Sequence, residues 1–386
     1  MIVVIYGTTG ELIKIAPLLV ALDADNTPYL TWCTGQQSDQ IPGFLAQFKL
    51  RSPDRWLGRG RRGADLRKNT DIPIWASRVL VTALFRRRAL RASLVSDGGP
   101  ALVIVHGDTL TTILGATIGR LLRTPVAHVE AGYRSGTWRA PFPEEMVRRA
   151  VSRIARIHYA SGPHTAENLR LERTRGEIVD TGFNTIRDSM ELASKSGAEP
   201  EVQTPATPFG VVSLHRYELL NRPDLLKKTL QLLSEASRVH NPLLFVDHSV
   251  TTRAVSAAGL DNLFHERFQR IPRQPYFGFI SLVQRSSFVI TDSGGSQQEC
   301  WQLGHPCLVH RSLTEHTDSV GGSVVISEMN FDIVQEFLSG GWHRYIDQPT
   351  ERQSPTAVII EHLKNKGFVR SECNTPLSAD RRESMQ

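Results

Sequence analysis

Two carboxylates lie where the sequence predicts that a strand ends. Asp108 ends the apolar run ALVIVHGD, and Glu130 follows the apolar part of PVAHVEAG. A carboxylate left unpaired at such a strand end is partly desolvated and therefore costly, which favours a functional role for Glu130. Asp108 has an equally good structural explanation, because its carboxylate could cap the helix that begins in TLTT.

Two further acids open a predicted helix. Glu144 and Glu145 follow Pro143, and the apolar residues after them keep helical spacing. Acids in a first turn favour the helix dipole, and the pairs Glu144–Arg148 and Glu145–Arg149 would each contribute roughly 0.3 kcal/mol. These effects explain one of the two glutamates. The other is available for chemistry, because Pro-Phe-Pro directs this helix start toward the strand ends.

The segment TDSGGSQQE is a candidate phosphate site. It follows an apolar strand and opens a helix, with Ser293, Gly294 and Gly295 at the turn. Backbone N–H groups and the helix dipole favour an anion there, and the glycines let it approach closely. Glu299 lies one turn into this helix and could accept hydrogen bonds from ribose hydroxyls, with a plain surface glutamate as the alternative.

A histidine ends the first strand predicted in the second half of the chain. His215 and its neighbour Arg216 face the expected cleft. A histidine at a strand end is more often a structural hydrogen-bonding group than a catalyst. Its position opposite the carboxylates favours the catalytic interpretation.

Composition argues against several classes of protein. The 386 residues carry a net charge of +6, mainly from arginine clusters such as RGRRGADLRK (59–68) and FRRRALR (85–91). These clusters lack interleaved aromatics, so we expect solvated faces and no nucleic-acid partner. No long apolar run and no signal peptide occur, which predicts a cytoplasmic protein without membrane insertion. The scattered cysteines predict neither a disulfide nor a metal site. The loop GTTGE (7–11) lacks the GxGxxG pattern, so we expect no nicotinamide cofactor.

Short β-branched runs alternate with helical patterns along the chain, which is typical of parallel βαβ units. The predicted strands of the first half are IVVIYG (2–7), YLTWCTG (29–35), ALVIVHGD (101–108), PVAHVEAG (125–132), RIHYASG (156–162) and EIVDTGF (177–183). Those of the second half are FGVVSLHR (209–216), PLLFVDH (242–248), FVITDSGG (288–295), PCLVHR (306–311) and GSVVIS (322–327). We therefore expect an α/β protein with two Rossmann-like, doubly wound domains facing a central cleft.

The pattern also predicts where these domains begin and end. The segment SKSGAEPEVQTPATP is rich in proline, serine and small residues, as linkers are. The final residues are polar enough to be disordered. The predicted organisation is an N-terminal domain with the carboxylates at 1–185, a linker at 186–208, a C-terminal domain at 209–350, a helix at 351–370 that packs back on the N-terminal domain, and a disordered tail at 371–386.

Taken in order, the motifs resemble those of the bacterial, non-hydrolysing UDP-N-acetylglucosamine 2-epimerase family. They are GTTGELIKIAP, HGDTLTT, HVEAGYRSG, PFPEE followed by Arg148, SLHRYE, YFGF and TDSGGSQQE with GHPCLVHR, and they extend over about residues 1–345. The resemblance implies a GT-B architecture with UDP-GlcNAc or UDP-ManNAc between the domains, no metal or other cofactor, and a homodimer.

The resemblance also implies a reaction. Family members invert C2 of the sugar by eliminating UDP to give a 2-acetamidoglucal and then adding UDP back from the other face, which supplies precursors of cell-surface polysaccharide. Asp108, Glu130 and Glu144 would handle the protons, and His215 beside the phosphates would assist the leaving group. A carboxylate pKa raised near apolar strand ends suits such proton transfer.

Substrate contacts follow from the same resemblance. They are Lys14, Arg148 and His316 near the nucleotide sugar, Ser293, Gly294 and Gly295 at the β-phosphate, Glu299 at the ribose, and Phe279 with the backbone near Gln274 at the uracil. The chain departs from the family where Thr9, Tyr217 and His316 stand in place of the usual arginines. The allosteric segment TxQHR of some members corresponds to CTGQQSDQ (33–40), in which only Gln36 matches.

Other functions use the same residues. A hydrolysing relative would release free N-acetylmannosamine and UDP with the same carboxylates. A GT-B glycosyltransferase would bind a UDP-sugar at the SGG turn and Glu299, but it needs an acceptor groove and a membrane-facing patch, for which FRRRALR is the candidate. A nucleotide-sugar sensor is disfavoured, because Asp108, Glu130, Glu144 and His215 occur together.

Overall fold

The computed structural model describes residues 1–58, 71–95, 98–135, 142–314, 316, 320–347 and 353–369. Within these residues, one sheet of seven parallel strands is built from the first half of the chain. Its strands are β1 (Ile2–Tyr6), β2 (Tyr29–Cys33), β3 (Arg55–Trp56), β4 (Leu102–His106), β5 (Val126–Ala131), β6 (Ile157–Ala160) and β7 (Glu177–Asp180). The spatial order is β3-β2-β1-β4-β5-β6-β7. Because this order reverses between β1 and β4, a crevice opens there at the carboxyl ends of the strands.

The second half of the chain repeats this plan. Its strands, six among the described residues, are β8 (Gly210–Ser213), β9 (Leu243–Val246), β10 (Phe268–Ile271), β11 (Phe288–Thr291), β12 (Cys307–Val309) and β13 (Val324–Ile326). The order is β10-β9-β8-β11-β12-β13, again parallel throughout. The reversal lies between β8 and β11, so this sheet also offers a crevice at its strand ends.

Helices connect the strands and cover both faces of each sheet. They are α1 (Thr9–Ala24), α2 (Ile41–Gln47), α3 (Asp71–Phe85), α4 (Arg87–Val95), α5 (Leu110–Leu121), α6 (Glu144–Ile154), α7 (Pro163–Leu171), α8 (Ile186–Lys195), α9 (Tyr217–Leu220), α10 (Pro223–Val239), α11 (Ser249–Ala257), α12 (Tyr276–Arg285), α13 (Gly294–Leu303), α14 (Phe331–Leu338) and α15 (Pro355–Asn365). Short 3-10 helices lie at Asp261–Leu263 and Gly341–Tyr345. In the described part of the chain, no helix has the length and apolar character needed to cross a membrane.

The predicted fold class is confirmed, and every predicted strand is present. Two strands were missed: β3 is only two residues long, and β10, with the sequence FQRI, is a polar edge strand. The first ten residues of the predicted linker form α8, because Ile186, Met190 and Ala193 keep helical spacing and are buried. Two segments interpreted from the sequence, the arginine cluster at 59–68 and the tail at 371–386, both lie outside the described residues.

The last described helix crosses back to the first sheet. Ile359 and Leu363 of α15 are fully buried in the core formed by β1, β4 and α1. The backbone N–H of Thr356 donates to the carboxylate of Asp188 in α8 over 2.8 Å. The C-terminal helix is therefore part of the N-terminal core, whereas the predicted domain boundaries themselves stay a prediction.

Truncating a side chain of this helix tests how much the packing stabilises the protein. Ile359→Ala should lower the free energy of unfolding by about 2–4 kcal/mol, because it removes buried methyl groups and leaves a cavity. The matched control is Ile346→Ala, since Ile346 is 60% exposed and Ile359 is 0% exposed. Urea unfolding of both variants is the measurement, and equal small losses would contradict the packing.

Candidate active site

The crevices of the two sheets meet in one cavity of about 390 Å³. This volume is in the range of roughly 300–1,000 Å³ that small-molecule sites occupy. A smaller polar cavity of about 180 Å³ adjoins it and shares several of its residues. Of the predicted site residues, the larger cavity is lined by Lys14, Asp108, Glu130, His215, Gln274, Phe279, Ser293, Gly295 and Glu299, and the smaller one adds Arg148, Gly294 and His316.

Glu130 has an unusual backbone at the end of β5. Its φ is +66°, and the pairing of β5 with β6 shifts register between Val129 and Ala131. A bulge of this kind re-aims a side chain, and a positive φ in a residue other than glycine costs roughly 1–3 kcal/mol. Gly132 follows with a φ of +94°, and a Cβ there would lie 2.1 Å from the carbonyl oxygen of Thr165. The chain therefore stores strain to direct Glu130 into the cleft.

Three side chains surround the Glu130 carboxylate. Lys14 Nζ donates to Oε1 over 2.6 Å, and Asn184 Nδ2 donates to the same oxygen over 2.7 Å. His106 Nε2 lies 3.2 Å from Oε2. Burial by itself would raise the pKa of Glu130, but Lys14 and His106 more than offset it and lower this pKa to about 2. The expectation of a raised pKa is therefore wrong for Glu130, because the sequence does not show that Lys14 lies beside it.

Asp108 is held by Arg148 of α6. Arg148 Nη2 donates to Asp108 Oδ2, and the Asp108 side chain is 29% exposed. The helix cap predicted for Asp108 is instead made by Thr109, whose hydroxyl accepts from the backbone N–H of Thr112. Because Thr109 rather than Asp108 caps the helix, the Asp108 carboxylate is left facing the cavity.

The paired glutamates at the start of α6 have different surroundings. Glu145 is fully buried and accepts from Arg149 over 2.9 Å, as its predicted pairing requires. Among the described contacts, Arg148 donates to Asp108 and Glu145 rather than to Glu144, so the predicted Glu144–Arg148 pair is replaced. Glu144 Oε2 is buried without a hydrogen-bond partner in the described part of the chain. Glu144 is absent from the described linings of the two cavities, so its catalytic role stays a prediction.

The opposite wall carries the candidate anion site. Ser293 caps α13 by accepting from the backbone N–H of Ser296, so the helix begins at Gly294 with its N-terminus at the cavity. Lys14, Arg216 and Arg273 also line the two cavities. Positive helix ends and cations favour an anion at this wall. Arg273 was not predicted, because it lies in a loop without a recognisable motif.

Asp292 joins the ends of two strands beneath His215. Its fully buried carboxylate accepts from the backbone N–H groups of His215, over 2.9 Å, and Arg216, over 2.8 Å. The centroid of the His215 ring lies 4.5 Å from that of the His248 ring, and the two ring planes are tilted by 32°. Burial lowers the pKa of His215 despite the nearby carboxylate. Asp292 and His248 were missed, although each follows an apolar strand in the manner that identified Asp108.

Glu299 is buried rather than on the surface. It is 5% exposed, so the surface alternative is wrong. Burial raises its pKa to about 7, although a hydrogen bond from Tyr276 partly opposes this rise. The side-chain amide of Gln274 is hydrogen-bonded to the backbone, because its Oε1 accepts from the N–H of Glu201 over 2.8 Å. Phe279 is half-buried and lines the same cavity.

The positions that depart from the resembled motifs have defined contacts. Thr9 donates through its backbone N–H to Gln37 Oε1 over 2.7 Å and through its hydroxyl to the same oxygen over 3.0 Å. The ring of His316 lies edge-on to Tyr133 at 5.1 Å and borders the smaller cavity. Both residues therefore belong to the cleft walls.

Metal-ligating side chains are dispersed in the described part of the chain, where no group of three could hold a metal ion. Lysine and arginine side chains and the N-terminus of α13 place positive charge at the cavities. The metal-free site stays a prediction.

Two parallel, Rossmann-like domains with a cleft between their strand ends define a GT-B-like α/β protein. Residues 90–339 match the profile of a family described as UDP-N-acetylglucosamine 2-epimerase. The enzyme of that name from Salmonella typhimurium is 30% identical over 337 residues, which cover 84% of this chain and 85% of the relative. The chain therefore belongs to the UDP-N-acetylglucosamine 2-epimerase family.

Solved structures share this fold. The UDP-GlcNAc 2-epimerase of Neisseria meningitidis bound to UDP-GlcNAc superposes with a TM-score of 0.76 at 23% identity, covering 94% of this chain and 99% of that chain. A complex of S. aureus MnaA with UDP gives 0.75 at 24% identity, covering 95% and 96%. At these sequence identities, the two superpositions show a shared fold and nothing further.

The low pKa of Glu130 predicts how stability depends on pH. Because the folded pKa is about 2 and the ordinary value is 4.5, ionised Glu130 stabilises the fold above about pH 5, and this contribution is lost as the pH falls toward 2. The stability of the wild type relative to Glu130→Gln should therefore fall as the pH is lowered from about 5 toward 2. Urea unfolding at each pH is the measurement, and a pH-independent difference would contradict the ion pair.

Proposed function

We propose that this protein is a non-hydrolysing UDP-N-acetylglucosamine 2-epimerase that interconverts UDP-GlcNAc and UDP-ManNAc. The observation that carries the proposal is the placement of Asp108 and Glu130 across one cavity from the N-terminus of α13. Carboxylates that can move a proton thus lie opposite a site suited to a diphosphate. Relatives named UDP-N-acetylglucosamine 2-epimerase support the epimerase activity. We further propose that the reaction supplies polysaccharide precursors in the cytoplasm.

The proposed reaction proceeds in two steps. A carboxylate takes the proton from C2, and the bond between C1 and the diphosphate oxygen breaks to give 2-acetamidoglucal and UDP. A proton then returns to the other face of C2 as the same oxygen re-forms its bond to C1. Asp108, Glu130 and Glu144 are the proposed proton-handling groups.

Ionised Glu130 is a weak base while Lys14 donates to it. Lys14 also lines the smaller cavity together with Ser293 and Gly294 of the anion site. A bound diphosphate would share Lys14, and burial would then raise the pKa of Glu130 toward a range useful for a base. In this scheme the substrate itself activates the carboxylate.

The remaining contacts are proposed for the nucleotide. Ser293, Gly294 and Gly295 receive the β-phosphate with Arg216 and Arg273 nearby, and His215 assists the departure of UDP. Glu299 accepts hydrogen bonds from the ribose hydroxyls. These donors would offset the free-energy cost of burying the ionised carboxylate. The uracil lies by Phe279 and the backbone near Gln274, with Arg148 and His316 toward the sugar.

Product analysis of the wild-type protein tests the proposal. NMR of a mixture with UDP-GlcNAc should show UDP-ManNAc approaching an equilibrium, without accumulation of free sugar. Free N-acetylmannosamine and UDP in equal amounts would show a hydrolysing enzyme instead. An unchanged substrate would contradict epimerase activity altogether.

Glu130→Gln tests the proton-transfer role. The amide keeps the shape and most hydrogen bonds but removes the titratable group, so turnover should fall about 100-fold or more. UDP affinity, measured by calorimetry, should stay close to that of the wild type, whereas the melting temperature should fall, because Lys14 loses its ionised partner. Turnover is therefore compared at a temperature at which both proteins are folded, and near-normal turnover of the folded variant would indicate a structural carboxylate.

We also propose a homodimer that buries an exposed face of α3. Ile74, Val81, Leu84 and Phe85 follow one face of this helix and are exposed, with Phe85 at 85%. Contiguous apolar faces of this kind mark interaction sites.

Val81→Glu combined with Phe85→Glu should convert the protein to a monomer, because charges would be desolvated in the interface. Light scattering after size exclusion measures the mass. Leu171→Glu is the control, since Leu171 is 72% exposed on α7. An unchanged mass for the double variant would contradict this interface.

A further inference from the structure

A third cavity of about 310 Å³ adjoins the polar cavity that contains Glu130 and shares Tyr133 and His316 with it. Its described lining contains no aspartate, glutamate, lysine or arginine. The basic side chains of this lining are the imidazoles of His164 and His316. An ionic group would therefore be desolvated there with no carboxylate, ammonium or guanidinium group in the described lining, which is costly. The cavity is suited to an uncharged group.

Aromatic rings form one wall of this cavity. Phe183, just after β7, and Trp301, in α13, lie with their ring centroids 5.2 Å apart at an angle of 31°. The two residues come from opposite halves of the chain, so the wall spans the cleft. Such rings offer a large apolar surface for aliphatic groups.

A buried acceptor faces this cavity without a partner. Gln298 is 6% exposed and lines the cavity, and its Nε2 donates to the hydroxyl of Tyr133 over 3.2 Å. Its Oε1 has no hydrogen-bond partner among the described residues. Leaving a buried acceptor unsatisfied costs roughly 1–3 kcal/mol, so a ligand with an N–H donor would be favoured here.

Asn184 connects this cavity to the carboxylate. It lines the cavity, while its Nδ2 donates to Glu130 Oε1 over 2.7 Å. A group attached to the carbon that reacts beside Glu130 would therefore lie within about one side chain of this cavity. On the substrate of the proposed function, the group attached to C2 is an acylamino group, which is uncharged and carries one N–H and an apolar acyl chain.

We propose that this cavity binds the N-acyl group of the nucleotide sugar, an inference that rests on the proposed function. Gln298 Oε1 accepts from the acylamino N–H, and Phe183 and Trp301 pack against the acyl chain. Since a water molecule occupies about 30 Å³ in the liquid, a cavity of about 310 Å³ exceeds what an acetyl group fills. The enzyme should therefore accept acyl groups longer than acetyl.

The acyl-length preference tests the proposal. The wild type should turn over UDP-N-butanoylglucosamine with a kcat/KM within about fivefold of that for UDP-GlcNAc. Ser161→Phe adds a ring to the lining and should lower the butanoyl-to-acetyl ratio of kcat/KM tenfold or more, whereas the control Ser161→Ala should keep the ratio. Rejection of the butanoyl substrate by a wild type that turns over UDP-GlcNAc would overturn the proposal, as would an unchanged ratio in Ser161→Phe.

A binding measurement separates this proposal from the proposed function. Gln298→Met keeps the length of the side chain but removes the acceptor, so calorimetry should show about tenfold weaker binding of UDP-GlcNAc and unchanged binding of UDP. Equal losses for both ligands would overturn the acyl assignment. If that selective loss is found while the wild type turns over neither sugar, the acyl site stands and the proposed reaction fails.

Discussion

The contact between Lys14 and Glu130 is the constraint on which the cleft depends. A carboxylate buried at a strand end is costly unless a cation and hydrogen-bond donors surround it. Lys14 reaches Glu130 because α1 begins at a fixed point: Thr8 and Glu11 form a capping box, and the Thr109 hydroxyl donates to Glu11. The starts of α1 and α5 are thereby tied together, one turn before Lys14. Burial raises the pKa of Glu11 to about 7, although the hydroxyl and backbone N–H groups that donate to its carboxylate partly oppose this rise.

In the second sheet, the buried carboxylate of Asp292 has a similar positioning role. Asp292 takes two backbone N–H groups after β8 and thus sets the position of His215 and Arg216. Both sheets reverse their strand order beside these residues, so each presents its crevice to the other. A nucleotide sugar that extends from the N-terminus of α13 to Glu130 would contact both halves. The positive φ of Glu130 contributes to this geometry, because a regular strand would direct its side chain away from the cleft.

The sequence predicted the parts of the structure that depend on local patterns. Apolar runs indicated the strands, and the glycine-rich turn after a strand indicated the helix N-terminus at the candidate anion site, since both signals come from neighbouring residues. It could not predict the pKa of Glu130, which depends on Lys14, a residue 116 positions away. Burial of Glu299 depends in the same way on Tyr276 and the helices around it. Asp108 and Thr109 are adjacent candidates for one helix cap, and only the backbone geometry decides between them.

The proposed reaction requires proton exchange at C2 of the sugar in this cleft. The wild-type protein can be incubated with UDP-GlcNAc in deuterated water while C2 is followed by NMR. Deuterium should appear at C2 of UDP-ManNAc and, as the reaction reverses, at C2 of the recovered UDP-GlcNAc. Formation of UDP-ManNAc that keeps the original C2 hydrogen would contradict proton exchange at this carbon.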